Sequence, residues 1–223
     1  KEKTLSTITF DYCISTMPIK DLFNAFSFSI PSDIKNISDN LVYRDFITVG
    51  ILLDKTKTEL NDNWIYIQES YVKVGRIQVF NNWSPFLVKE SHTIWLGLEY
   101  FCNESDTLWQ LNEEELIALA TQELIQLGFI NASENVLDAT VIKVPKTYPA
   151  YFGAYNEFYK IREFVDPIDN LFLVGRNGMH KYNNQDHSML TAMQAVQNIK
   201  NGVLSKENIW SINTEEEYHE EKK

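Results

Sequence analysis

Cysteine is scarce. Cys13 and Cys102 are the only two in 223 residues, too few for a disulfide framework and with no second Cys or His at metal-ligand spacing. A reduced, cytoplasmic setting is expected. Basic residues are in deficit, 20 Lys and Arg against 31 Asp and Glu, for a net charge of −11. That leaves no electrostatic footprint for a nucleic-acid backbone or an anionic membrane surface, so no nucleic-acid partner is expected. No apolar run approaches the roughly 20 residues that span a bilayer, so no integral membrane segment is expected, and the start lacks the charged-then-apolar order of a signal peptide. His92, His180, His187 and His219 show no H-x-x-H spacing, so no metal site is expected. The eight glycines contain no G-x-G-x-x-G turn; Gly175 and Gly178 make only a G-x-x-G pair. Residue 1 is Lys, and a strand-like run follows after a short polar lead, which reads as a piece of a longer chain.

What is present is 44% apolar and 13% aromatic, enough for one good core or two small ones. Thr7 to Ser15 is rich in β-branched and aromatic residues and is closed by Met17-Pro18, which predicts a strand and then a short helix over Lys20 to Phe28. Tyr43 to Leu53, Trp64 to Gln68, Gly75 to Phe80 and Thr93 to Phe101 read as strands with short polar connections. Such neighbours are most simply antiparallel, because a parallel pair needs a crossover of about a dozen residues. Asn112 and Glu115 form a capping-box pair, predicting a helix with Leu116, Leu119, Ala120, Leu124 and Leu127 on one face and Gly128 as its stop. A strand over Ala139 to Val144 is expected to break at Pro145 and Pro149, before a short helix at Asn156 to Phe164. Asn170 to Val174 reads as a buried strand ended by Gly175. A last helix, Asp186 to Asn201, carries Met189, Ala192, Val196 and Ile199 on one stripe and ends at Gly202. The acidic tail, 214–223, is expected to be a disordered charge run.

Strand, glycine turn and helix N-terminus meet only at Asn170 to Met193, NLFLVGRNGMHKYNNQDHSMLTAM. A helix N-terminus offers unpaired N–H groups and partial positive charge to a phosphate, a carboxylate or an anionic ring edge. Before it, Arg176 to Gln185 packs Arg, His180, Lys181 and side-chain amides into ten residues. On spacing alone this is equally a plain glycine turn followed by a capped helix.

The run resembles the C-terminal FAD-contacting segment of the flavoprotein superfamily of protoporphyrinogen oxidases, amine oxidases and UDP-galactopyranose mutases. Val144 to Pro149, Tyr155 to Asp166, Trp64 to Ile67, Arg76-Ile77, Asn82 to Pro85 and Leu98 to Phe101 match that superfamily in order and spacing. The resemblance implies an FAD-dependent oxidoreductase that moves a hydride from a small-molecule substrate to flavin. It further implies that Gly175, Arg176, Asn177 and Gly178 lie near the FAD chain, that Gln185, Asp186, His187 and Ser188 face the flavin pyrimidine edge, and that His180 is a candidate catalytic residue. Asp186 is expected to cap the helix, since its charge would otherwise oppose a reduced, anionic flavin. The N-terminal βαβ unit that binds the adenine half of FAD in that superfamily is absent here, which implies a C-terminal fragment that alone binds FAD poorly or not at all.

The expected fold is α+β: 1–19 as FAD-domain strand and linker, 20–150 as an antiparallel substrate-binding sheet flanked by helices, 151–213 as strand and helix pieces completing the FAD domain, then the tail. An aromatic second sheet face would suit a flat or sugar-ring substrate. Arg44, Arg76, Trp83 and Glu99 are the candidates for substrate binding. Each arginine is equally a salt-bridge partner, and Glu99 is either exposed or a buried polar residue. An arginine pair gripping a diphosphate would point to a sugar nucleotide rather than an amine. The rival reading is a non-catalytic ligand-binding or protein-interaction module, with an exposed apolar patch and no cavity at the last helix. Neither reading fixes the oligomeric state.

Overall fold

A computed structural model describes residues 6–54, 56 and 59–212; the tail at 214–223 lies outside them. The chain divides into two compact units, one of 6–43 with 148–212 and one of 44–147. The first boundary falls at 43/44 rather than the expected 19/20. The reason is packing: Leu22, Phe23, Ile34 and Ile37 share a core with Phe158, Ile161 and Val165.

The first segment holds strand β1 (Cys13–Ser15) and helices α1 (Ile19–Ala25) and α2 (Ser32–Asp39). The strand expected over Thr7 to Ser15 shrinks to three residues. Its parallel partner, Leu171–Leu173, offers only three to pair with, and upstream Ile8, Phe10 and Tyr12 are exposed. α1 stops three residues short of the expected Phe28, where Phe26 turns extended. α2 was not expected from the sequence; it starts after Pro31, whose fixed φ suits a helix entrance, and it buries only Ile34, Ile37 and Ser38.

The second unit is built on a five-stranded sheet in the order β3-β4-β5-β2-β6, comprising β2 (Tyr43–Leu53), β3 (Trp64–Tyr66), β4 (Arg76–Val79), β5 (Ile94–Cys102) and β6 (Val136–Pro149). β2 with β5, β5 with β4, and β4 with β3 pair antiparallel, as expected. Strand alternation puts Ile47, Val49, Ile51, Ile77, Leu96, Leu98 and Tyr100 in one core. Between β4 and β5 lies a helical turn, α3 (Phe80–Trp83). After β5 come α4 (Thr107–Gln110) and α5 (Glu113–Gln126).

The capping box at α5 forms in both directions. The Glu115 N–H donates to Asn112 Oδ1 at 2.9 Å and the Asn112 N–H to Glu115 Oε2 at 2.8 Å. Leu116, Ala120 and Leu124 are buried against the sheet, and Gly128 has φ +80° past the helix end. α5 also buries Glu123, whose carboxylate accepts from the Val74 N–H at 3.1 Å and the Tyr100 hydroxyl at 3.0 Å. Burial first, and the Glu123 charge second, push the Tyr100 hydroxyl far above its ordinary pKa.

β6 corrects the expected break, since it runs through Pro145 to Pro149. It is an edge strand, where a missing N–H costs no ladder bond. Between the prolines, Lys146 adopts φ 55°, and its N–H donates to Asp45 Oδ1 at 2.8 Å. Asp45, buried, also accepts the Glu104 N–H at 2.6 Å.

The first unit resumes with α6 (Phe158–Val165), β7 (Leu171–Leu173), a helical turn α7 (Gly175–Gly178), α8 (Gln185–Asn201) and α9 (Glu207–Trp210). β7 is fully buried, and Gly202 ends α8 at φ +65°. The stripe read from the sequence of α8 holds in half: Ala192 and Ile199 pack against the core, but Met189 and Val196 are exposed, and the fully buried positions are Thr191, Ala195 and Asn198. The inward face is polar because it has bonds to make, Thr191 with the Gly175 N–H at 3.1 Å and Asn198 with the Ser205 carbonyl at 3.1 Å.

Candidate functional site

In the first unit, β7 is followed by Val174, whose N–H donates to the Ser15 carbonyl at 3.0 Å. The chain then turns at Gly175, with φ +74°, a conformation open to glycine at little cost. Gly178 is glycine for a different reason. A Cβ there would stand 2.5 Å from the Ser15 carbonyl oxygen, so the close approach of β1 accounts for this residue without a ligand.

Arg176 is held in place by its own loop. Its Nε and Nη2 donate to the Asn183 carbonyl at 3.0 and 2.6 Å, and its guanidinium carbon lies 5.1 Å from the Tyr148 ring and 4.8 Å from that of Tyr182. Asn183, buried, accepts the Ser188 hydroxyl at 2.9 Å through Oδ1, tying the loop to the first turn of α8. Between them opens a cleft of about 390 Å3 lined by Arg176, Asn183, Asn184, Gln185, Ser188 and Met189.

The helix cap corrects the expectation for Asp186. Asn184 occupies the N-cap position, and its N–H donates to His187 Nδ1 at 3.3 Å. Asp186 sits in the first turn with its carboxylate in solvent, 3.6 Å from His187 Nδ1. Because that nitrogen already accepts a backbone proton, the pair is a polar contact and not an ion pair in this tautomer. Asn is a preferred N-cap residue, so the Asn183-Asn184 pair ahead of the helix carried a signal for this end that the acidic residue masked.

His180 is fully buried and adopts φ 47°. Its Nε2 lies 3.1 Å from the Ala150 carbonyl, which can only accept, so Nε2 carries the proton. The ring packs edge-on to Tyr43 at 4.6 Å and beside Tyr155 at 5.7 Å. Burial lowers its pKa from 6.5 to about 4, with the Ala150 hydrogen bond opposing. Among the described residues, His180 Nδ1 and Asn177 Oδ1 are buried without a hydrogen-bond partner. The structure therefore gathers Arg176, Gln185 and Ser188 around the cleft, with Gly175 behind Ser188, whereas His180, Asn177, Gly178, Asp186 and His187 do not line it. Asn183, Asn184 and Met189 are the lining residues that sequence reasoning missed.

In the second unit, the sheet face opposite the core carries Trp64, Tyr66, Arg76, Gln78, Glu99 and Phe101 in register. Arg76 and Glu99 are directly paired across β4 and β5 and are 2% and 1% exposed. They form an ion pair through Arg76 Nε and Glu99 Oε2, and Gln78 donates to the second carboxylate oxygen. The guanidinium lies 3.6 Å from the Trp64 ring centroid, and Trp83 packs edge-on to Trp64 at 5.6 Å. Arg44 shares the face by strand parity but stands four residues, about 13 Å, along β2 from Thr48, the residue opposite Glu99. The two arginines thus occupy different rows.

No protein-family model matches the sequence, and no curated protein is similar to it. Solved structures do match. A reduced UDP-galactopyranose mutase superposes with a TM-score of 0.78 at 22% identity, over 92% of this chain and 44% of that one. This is the fold of a protein named in the superfamily that the sequence resembles. A putative protoporphyrinogen oxidase from Exiguobacterium sp. 255-15 superposes with a TM-score of 0.59 at 14% identity, over 84% of this chain and 41% of that one. The chain thus spans less than half the length of either. Among the described residues no helix is long and apolar enough to cross a membrane.

Proposed function

We propose that this chain is the C-terminal part of an FAD-dependent oxidoreductase of the flavin amine oxidase type, acting in the cytoplasm on a small-molecule substrate. The observation that carries the reading is the cleft at the start of α8, lined by Arg176, Asn184, Gln185 and Ser188. Its donors suit an electron-rich edge, namely a guanidinium, two amides and the positive end of a 17-residue helix. At this size it takes one end of a dinucleotide and not the whole, as a shared site would. FAD, when bound, supplies the redox chemistry by accepting a hydride and holding the resulting charge on its ring.

The residues do the rest. The first turn of α8, Gln185 to Ser188, stabilises negative charge placed before it, which favours the reduced cofactor. Asn183 and Arg176 fix that turn, and solvent around Asp186 screens the one charge of the wrong sign. His180, buried and neutral, pins the loop to Ala150 rather than exchanging protons. The second unit serves as substrate domain, with Trp83 and Arg44 keeping exposed surface for contact. A sugar-nucleotide substrate is the alternative, drawing on the overlap with UDP-galactopyranose mutase; an arginine grip on its diphosphate would have to share Arg76 with Glu99. The binding-module reading is disfavoured by the cleft at the start of α8.

The test is the visible absorbance of the full-length gene product beside that of this chain. Flavin bands in the long protein alone support the reading. A colourless long protein that FAD does not reconstitute refutes it, and tight stoichiometric FAD on this chain alone refutes its status as half a site.

A further inference from the structure

The solvent side of α8 has the composition of an interior. From the second turn onward it carries Met189, Leu190, Met193 and Val196, which are 65%, 48%, 64% and 46% exposed. Gln197 and Lys200 are the other exposed residues up to Lys200, and the polar Thr191 and Asn198 point inward instead. A solvated helix normally turns its charges outward. Although 31 of the 223 residues are acidic, none lies in 187–206. The four- and three-residue spacing of Met189, Met193 and Val196 sets them in one stripe along the helix. A surface that is apolar, rich in Met and depleted of charge is the centre of a protein contact rather than a face left in water.

We propose that this stripe is the docking face for the dinucleotide-binding half of the same protein, an inference that rests on the reading of the chain as part of a flavoenzyme. The stripe begins inside the candidate site, because Met189 lines the cleft beside Gln185 and Ser188. That cleft takes one end of a dinucleotide, so the segment that grips the other end has to stand beside this part of α8. The two solved folds that overlay the chain each continue for more than half their length outside the overlap. Among the described residues, β1 and β7 make a parallel sheet of only two strands, whereas parallel sheets are larger and are covered on both faces. The chain's own last residues do not suit the stripe. Residues 213–223 hold five Glu, with Tyr218 as their sole large apolar side chain, and would bury charge against Met and Val.

The test is methionine oxidation by dilute hydrogen peroxide, read by peptide mass spectrometry on the 223-residue chain and on the full-length gene product. Met193 is the reporter because it does not line the cleft, so bound cofactor does not shield it, and the buried Met179 is the slow control in both. The expected result is oxidation of Met193 at least about tenfold slower in the long protein. A Met193→Glu, Val196→Glu double variant should leave the melting of the 223-residue chain unchanged, since both positions are exposed, and lower that of the long protein by at least about 4 °C. Equal oxidation of Met193 in the two proteins, or a double variant that is harmless in the long one, overturns the proposal. So does slow oxidation in the 223-residue chain that speeds up on dilution, because the occupant is then a second copy of the chain. A flavin-coloured long protein with Met193 unshielded overturns the docking face alone. A colourless one that FAD does not reconstitute overturns the flavoenzyme reading and, with it, the occupant named here.

Discussion

Replacing Glu99 with Ala removes the carboxylate that pairs with Arg76 Nε across β4 and β5 and leaves a guanidinium that is 2% exposed. It also strips the acceptor from Gln78. Breaking a buried pair by deleting one partner costs about 3–5 kcal/mol, because the remaining charge stays desolvated. The Trp64 face, 3.6 Å from the guanidinium carbon, returns only ~1 kcal/mol of that. With a urea dependence of about 2 kcal/mol per molar, a net loss of ~3 kcal/mol moves the midpoint of the second unit down by about 1.5 M. Urea titration followed by Trp emission reads this, since Trp64, Trp83 and Trp95 all lie in that unit. The control is Arg76→Met with Glu99→Leu, which removes both charges and is expected to stay within about 2 kcal/mol of wild type. A Glu99→Ala loss below about 1 kcal/mol, or a double variant as damaged as the single, refutes the argument that desolvation governs this pair.

Gly178→Ala drives a Cβ to 2.5 Å from the Ser15 carbonyl and is expected to cost about 1–3 kcal/mol; Gly175→Ala meets nothing nearer than Ser188 Oγ at 3.8 Å and pays only for φ +74°, about 1–2 kcal/mol. Thermal melts of both variants, with a low-field shift or loss of β1 amide protection in Gly178→Ala alone, check the distinction. His180 titrates near 6.5 when unfolded and about 4 when folded, so the unfolded chain binds the extra proton. Its contribution is whole above pH 6.5, falls as pH drops and is gone below about 4, on the order of 3 kcal/mol in all. His180→Asn, which tolerates positive φ, should flatten that stretch of the stability-versus-pH curve, and an unchanged slope would show that another group sets it.

Where one residue pattern dominates, the sequence was readable. β2 spans Tyr43 to Leu53 as expected because its apolar stretch is long, and α5 begins at its capping box because Asn112 and Glu115 satisfy each other locally. Misreadings came where a distant partner decides. Pro145 and Pro149 look like breakers until β6 is known to be an edge strand. Val196 and Met189 look like core until Thr191 and Asn198 are seen bonding inward. Alternation placed Glu99 in a strand without choosing between water and burial, and only the register opposite Arg76 resolves it. At the cleft, the glycine turn and helix start were legible, whereas Asn183 holds Arg176 through its backbone carbonyl, a bond that any residue type could make and that leaves no side-chain signature.

The pairing of β1 with β7 sets an order of events during synthesis. Cys13 must wait for Leu171, and α1 and α2 for Phe158 and Ile161, while the whole second unit emerges in between. At about 5–20 residues per second, roughly a hundred intervening residues hold the first segment without its core for some 5–20 s. During that interval Ile19, Leu22 and Phe23 are accessible to chaperones, and the second unit, which contains the β2–β5, β5–β4 and β4–β3 pairings, has time to fold first. The inserted unit thus acts as a timer as well as a domain: slowing its translation or destabilising its sheet lengthens the exposure of a core that lies outside it.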